Sequence, residues 1–238
     1  MVYETIKANL EDVLGRISRA CRTVGRSPED VAIIGVTKTF GPDVVDALIE
    51  AGVHDIAESR VQEFLEKRAA VTRPCRWHLV GTLQRNKAAK AIGCFDLIHS
   101  VDSLKLAETL NRLGTERGMT TRVLFEVNTS GEPTKHGFSP ADLERAAAGV
   151  AGLERLSLEG LMTVGPLSTD TGEVRRSFAL LRELGGRVER SIGRRLTHLS
   201  MGMSDDFEIA IEEGATMVRL GRILLGGRGG ASPPSVTG

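Results

Sequence analysis

Eight apolar runs of strand length, spaced by segments of helical character, most narrow what this chain can fold into. The runs are VAIIGVT (31–37), HDIAES (54–59), RWHLVG (76–81), FDLIHSV (95–101), RVLFEVN (122–128), LSLEGLMTVG (156–165), RLTHLSMG (195–202) and TMVRLGRILLG (216–226). Between them lie stretches such as PDVVDALIEAG, SLKLAETLNRLGTERG and GEVRRSFALLRELGGRVERS, whose apolar residues recur at helical spacing. Strands that alternate with helices form parallel βαβ units, and eight such units predict an α/β fold of the closed (β/α)8 TIM-barrel type. An open doubly wound sheet is the competing arrangement. No G-x-G-x-x-G follows the first run, which weakens the dinucleotide-binding version of that sheet. Residues 3–25 precede the alternation and predict an added N-terminal helix with Ile6, Leu10, Val13, Leu14 and Ile17 on its apolar face.

At 238 residues and 41% hydrophobic content, the chain has material for one large core. Residues 1–228 read as a single barrel domain, and 229–238, within a stretch rich in Gly, Pro and Ser, as a disordered tail. Lys plus Arg and Asp plus Glu both number 31. The absence of a basic excess speaks against nucleic acid and membrane surfaces as partners. The three cysteines, Cys21, Cys75 and Cys94, form no C-x-x-C pair, as expected of reduced thiols rather than a disulfide frame or zinc site. The N-terminus lacks a signal-peptide apolar stretch, and no run reaches the roughly 20 apolar residues of a membrane span, so the expected location is the cytoplasm.

Within each run, the chemically capable residue falls near the C-terminal end: Lys38, Ser59, His78, His99, Asn128, Met162 and Thr163, Ser200, and Arg219 in run order. Barrel active sites are built at that rim. The competing explanation is that strands simply fray into polar loops. Lys38 follows an apolar run of the kind buried on both faces. An ammonium there is expected to be partly desolvated, which exposes a nucleophilic amine suited to Schiff-base formation. A rim lysine paired with Glu58 accounts for it equally well. Most of the other six lysines, Lys67 among them, lie in stretches that look like solvated helix faces. LSMGMSDD and MVRLGR form a second constellation. Gly202 permits a sharp turn. Ser204 is positioned to cap the following helix, whose N–H groups attract anions. Arg219 and Gly221 add a guanidinium and a small residue one strand later, where barrels of this type hold phosphate. Asp205 and Asp206 would oppose a phosphate unless turned away. His78 and His99 lie inside apolar runs, where core histidines outnumber functional ones, and the five histidines show no H-x-x-x-H spacing for a metal.

VTK (36–38), AESRVQE (57–63), WHLVGTLQRNK (77–87), HSVD (99–102), VNTSGEPTKHGF (127–138), GLMTV (160–164), LSMGMSDD (199–206) and MVRLGR (217–222) together resemble the pyridoxal phosphate homeostasis protein family, also called the proline synthase co-transcribed family. The resemblance runs from the N-terminal helix to about Arg228. It implies a barrel of the alanine racemase N-terminal type and pyridoxal 5'-phosphate (PLP) as cofactor, carried as a Schiff base on Lys38. Ser200, Gly202, Arg219 and Gly221 match positions resembling the family's phosphate-binding elements, with Ser59, His78, Asn128 and Met162 as further candidate contacts. Lys135 matches a lysine that the resemblance connects with cofactor handling. The chain departs from the pattern at Ala57-Glu58-Ser59, where relatives carry Gly-Glu-Asn.

Two functions compete: a carrier or reservoir in vitamin B6 homeostasis, which the resemblance favours, and an amino-acid racemase. Racemases of this type resemble a barrel joined to a second β domain and oppose a lysine with a tyrosine. Here the sequence stops just after the eighth run, and its only tyrosine, Tyr3, lies in the N-terminal helix. The expected partners are PLP and, transiently, PLP-dependent apoenzymes, and the expected state is a monomer.

Overall fold

The computed structural model describes residues 2–226, so the tail expected at 229–238 lies outside the described residues. After helix α1 (Val2–Thr23), eight strand–helix units follow in strict alternation. They are β1 (Ala32–Val36) and α2 (Pro42–Glu50), β2 (Asp55–Glu58) and α3 (Val61–Arg68), β3 (Arg76–Leu79) and α4 (Ala88–Ala91), and β4 (Leu97–Val101) and α5 (Leu104–Arg117). The second half has β5 (Thr121–Glu126) and α6 (Leu143–Val150), β6 (Leu156–Met162) and α7 (Thr171–Ile192), β7 (His198–Ser200) and α8 (Phe207–Glu212), and β8 (Met217–Leu220) and α9 (Arg222–Leu225). The strands are parallel and pair in chain order, with β8 returning to β1. This is the closed (β/α)8 barrel that the alternation predicts. No described helix is long and apolar enough to cross a membrane.

The longer helices begin and end where their sequences say they should. Ser103 caps α5 by accepting the Leu106 N–H, and Gly118 ends it at φ 67°. Asp170 caps α7 through the Gly172 N–H, and Gly193 ends it at φ 65°. Side-chain oxygens take up free N–H groups at a helix start, and glycine adopts the left-handed turn at its end. The last apolar run behaves differently. Expected as one strand through 226, it is a strand only to Leu220 and then coils into α9. A short apolar run is compatible with either element.

Alternation along the strands divides the core into two layers. Ile34, Ala57, Leu97, Leu124, Met162 and Met217 face one another inside the barrel. The outward-facing residues, such as Ile56, Ile98, Phe125 and Val218, pack under the helices. Helix α1 covers the barrel's outer wall at α8, α9 and α2. It buries Ile6, Leu10, Val13, Ile17, Ala20 and Cys21. Leu14, expected on the same stripe, is 50% exposed, because the buried set advances by three or four residues and leaves position 14 at its edge. Polar contacts reinforce this docking. Asn9 donates to the Leu224 carbonyl at 2.9 Å, and Arg16 forms a bidentate pair with Glu208 and lies 4.6 Å from the Phe207 ring centroid.

The two leucines of α1 separate stripe from surface. Leu10→Ala is expected to lower unfolding free energy by roughly 2–5 kcal/mol and Leu14→Ala by no more than about 0.5 kcal/mol, read from urea denaturation. Equal losses would place Leu14 in the packed face.

Candidate functional site

The C-terminal ends of the strands surround a cavity of about 780 Å³. Lys38, Ser59, Ser204, Arg219 and Gly221 line it together with the apolar Val36, Val80 and Val164. Its position follows from the fold: the loops after β1, β2, β3, β6, β7 and β8 all open onto it.

Lys38 sits two residues beyond β1. Contrary to the expectation of partial desolvation, its side chain is exposed. The apolar run buries the strand, but β1 stops at Val36 and the chain has reached the rim by Lys38. Glu58 does not pair with it. That carboxylate accepts from Lys67 Nζ at 2.5 Å and from Thr37 Oγ1 at 2.6 Å. Lys67 is accordingly buried, not solvated; it follows Phe64 by three residues on the inner face of α3. Its ammonium also donates to the Thr37 carbonyl at 2.8 Å, tying α3 to the backbone just before Lys38. Burial pushes the Glu58 carboxyl up despite these hydrogen bonds, and its Oε2 has no hydrogen-bond partner among the described residues. Thr39 follows at φ 69°, the one non-glycine positive φ among the described residues. A threonine in this region is strained. The turn that presents Lys38 is therefore held from below by a buried ion pair and bent at Thr39. Among the described residues, Lys38 has no hydrogen-bonding or ionic partner.

The loop after β7 forms the opposite wall. Gly202 has φ 90°, and a Cβ there would stand 2.6 Å from the Ala210 Cβ and 2.9 Å from the Phe207 Cα. Only glycine satisfies both the turn and the close approach of α8. Ser204 does not cap α8, whose N-cap position is Asp206. Its hydroxyl instead accepts the Ile223 N–H at 3.4 Å, bridging to α9. The N–H groups of Ser204 and Asp205 have no acceptor among the described residues. Asp205 pairs with Arg222, while Asp206 accepts the Met203 N–H at 2.6 Å and burial pushes its carboxyl up.

Arg219 is 5% exposed. Burial pulls its pKa down to about 10, against the attraction of Asp206 and Glu126. Its guanidinium donates to the Ser200 carbonyl and hydroxyl and to the Thr163 carbonyl, each at 2.8 Å. Both terminal nitrogens thus hold protein oxygens, so the guanidinium expected to meet a phosphate is already engaged with the protein.

Of the residues singled out from sequence, Lys38, Ser59, Ser204, Asp205, Arg219 and Gly221 come together at the cavity. Met162 lies beneath it in the inner layer. His78 and Ser200 are buried deeper in hydrogen bonds of their own. Gly202 is set behind the wall. Asn128 organises its own loop, donating to the Glu132 carbonyl at 2.8 Å and accepting the Gly131 N–H at 3.1 Å. Lys135 donates to the Gly165 carbonyl at 2.9 Å and pairs with Glu132. No group of three His, Cys, Asp or Glu among the described residues could hold a metal ion. Sequence reasoning passed over Lys67 and Glu126, and a buried polar residue at an inward strand position is the signal for the latter.

With this geometry in hand, the relatives are informative. Residues 12–229 match the family alanine racemase, N-terminal domain. A pyridoxal phosphate homeostasis protein of Aquifex aeolicus is 40% identical over 220 residues, covering 92% of this chain and 96% of the relative. The chain belongs to the pyridoxal phosphate homeostasis protein family. The structure of PipY from Synechococcus elongatus with PLP bound superposes at a TM-score of 0.79 with 36% identity, covering 88% of this chain and all of that one. An alanine racemase of Clostridium difficile shares the fold, with a TM-score of 0.77, 20% identity, and coverage of 93% of this chain but 56% of the racemase. Ser59 lines the cavity at the position where the resemblance leads one to expect asparagine.

Glu126 closes β5 at an inward position, within electrostatic reach of Arg219. Burial first, and then Asp102, push its carboxyl up to about 7 against the attraction of His136 and Arg219. Folded Glu126 therefore keeps its proton to about pH 7, whereas an unfolded glutamate releases it near 4.5. Its protonated form stabilises the fold fully below about pH 4.5, and that contribution disappears as pH rises through 7. Glu126→Gln, neutral at all pH, is expected to gain on wild type between about pH 5 and pH 8 by up to about 3 kcal/mol. Urea unfolding at each pH measures this, and parallel stability curves would show that the carboxyl titrates normally.

Proposed function

We propose that this chain binds PLP at the barrel rim as a Schiff base on Lys38 and serves as a carrier or reservoir in vitamin B6 homeostasis. The observation that carries the reading is an accessible lysine amine without a protein partner, held on a braced turn at a cavity, in a chain whose relatives are named for PLP homeostasis. The PLP-bound PipY structure supports it.

The residues present suit such a group. Lys38 offers the amine for an aldehyde. Val36 and Val80 offer apolar surface for a ring. The hydroxyl of Ser204, with the N–H groups of Ser204 and Asp205, offers donors for a phosphate. When bound, PLP supplies an electron-withdrawing ring conjugated to the imine. Arg219 places a positive charge at the cavity floor, and Lys38 would hold the cofactor at an exposed position open to an incoming amine or water.

The accessibility of Lys38 favours exchange over turnover. Tyr3, the single tyrosine, lies on α1 outside the barrel and does not line the cavity, so it is badly placed as the second base of a racemase. We read the protein as a cytoplasmic monomer that meets PLP-dependent apoenzymes transiently. The three free thiols fit that compartment.

Borohydride reduction of the PLP-loaded protein is expected to place the label on Lys38, and Lys38→Ala to abolish it, as mapped by peptide mass spectrometry. Label recovered chiefly on Lys87 or Lys135 would reject the assignment. Mixed with an apoenzyme, the loaded protein is expected to restore that enzyme's activity. Recovery that survives a trap for free PLP marks direct handover, and recovery lost to the trap marks release. Failure to restore activity, together with amino-acid turnover that Lys38→Ala removes, would make the protein an enzyme instead.

A further inference from the structure

A row of polar side chains crosses the barrel interior from its lower mouth to the rim cavity. Arg219 donates to Ser200 Oγ at 2.8 Å, and Ser200 Oγ lies 2.9 Å from His99 Nδ1. His99 Nε2 lies 2.9 Å from His78 Nδ1, and His78 Nε2 lies 2.9 Å from Asp55 Oδ1. The five residues come from β8, β7, β4, β3 and β2, and all but Asp55 are buried. Asp55 stands at the start of β2, where it also pairs with the exposed Arg76.

The two ends fix the direction of the row. A guanidinium only donates, and an ionised carboxylate only accepts. If Ser200 accepts from Arg219 and gives its own proton to His99 Nδ1, each imidazole accepts at Nδ1 and donates from Nε2, and Asp55 takes the last hydrogen bond. Every link is then satisfied with both rings neutral. The opposite order requires a doubly protonated His78, because its Nε2 must still donate to Asp55. That order brings a second donor onto Ser200 Oγ, leaves the Ser200 proton without an acceptor in the row, and adds a cation to a buried line already holding Arg219. Burial, with the nearby His78, Arg219 and His198, drives His99 well below the ordinary histidine range. Burial alone would raise the Asp55 carboxyl, but the hydrogen bonds from His78 and Arg76 outweigh it and hold the group low.

We propose that Asp55, at the mouth remote from the cavity, is a positioning residue for Arg219: through His78, His99 and Ser200 it holds a single proton order that presents the Ser200 oxygen to the guanidinium as an acceptor. The row itself is independent of what the cavity binds; only the affinity readout below rests on the PLP reading.

The test uses the full chain with ¹⁵N-labelled histidine, whose ring nitrogens report their protons by NMR, alongside PLP titration. In wild type, His78 and His99 are both expected to carry the proton on Nε2 alone. Asp55→Ala removes the terminal acceptor and is expected to break that pattern and weaken PLP roughly tenfold, the effect of one buried group losing its partner. Asp55→Asn retains a carbonyl acceptor and is expected to keep both the tautomers and most of the affinity. Because these residues act in series, Ser200→Ala combined with Asp55→Ala is expected to cost less than the two effects added. A proton on Nδ1 of either ring in wild type, unchanged tautomers in Asp55→Ala, or strictly additive losses would overturn the proposal. If wild type fails to bind PLP, the cavity reading falls and the ring nitrogens alone decide whether the row is ordered as described.

Discussion

The pairing of β8 with β1 closes the sheet, and the geometry of the rim follows from its register. Ile34 stands beside Arg219 and Gly35 beside Leu220. Four residues past Ile34 comes Lys38, and two past Arg219 comes Gly221, so two ends of the chain nearly two hundred residues apart deliver their functional groups to one stretch of wall. A slip of one residue would turn Arg219 outward among the apolar partners of α8 and α9 and bring Leu220 into the barrel. The seam is thus held by the mutual exclusion of a guanidinium and a layer of aliphatic side chains, as well as by its ladder of hydrogen bonds. Closure also leaves no strand edge open to other chains.

Polar groups inside the wall are costly to bury, and the fold answers that cost with specificity. The Glu58–Lys67 pair gives up hydration on both sides and leaves one carboxylate oxygen without a partner among the described residues. An aliphatic pair of similar volume would stabilise the barrel as well or better. What the ion pair adds is direction: Lys67 reaches the Thr37 carbonyl, and that fixes where the next residue, Lys38, leaves the wall. Arg219 is treated in the same way, its terminal nitrogens matched to backbone and hydroxyl oxygens so that its charge stands at a defined depth under the cavity.

Much of this architecture was legible in the sequence. The eight runs mark eight strands, and the stretches of helical spacing between them mark the helices that follow. Where the sequence misled, the reason is specific. Lys38 follows an apolar run, but the strand ends before it does, and burial of a strand says nothing about a residue two positions beyond its end. Lys67 looked like surface because a helix rich in charge was read as solvated all round, although its spacing from Phe64 put it on the inner face. The final run coiled because Ile223 and Leu224 are as acceptable to a helix as to a strand. Ser204, taken for a helix cap, makes its contact with an element that the sequence reading had merged into β8. The row from Arg219 to Asp55 was out of reach in principle: its members come from five strands, and only the register of a closed barrel aligns them. His78, a candidate cofactor contact by resemblance, and His99 are both buried in the barrel away from the cavity lining, and a buried histidine's partners are tertiary facts.

The docking of α1 has a consequence for synthesis. Its surface is made by residues that follow it by 215 positions at Leu224 and 192 at Glu208. On the ribosome, α1 is made some two hundred residues before α8 and α9. At about 5–20 residues per second, the interval is roughly 10–40 s. Until α8 and α9 are made, α2 is the one helical neighbour available to the stripe of Ile6, Leu10, Val13 and Ile17 among the described residues. Helix α1 is therefore made long before most of its docking surface exists, and a growing chain presents a partly uncovered amphipathic segment until α8 and α9 follow.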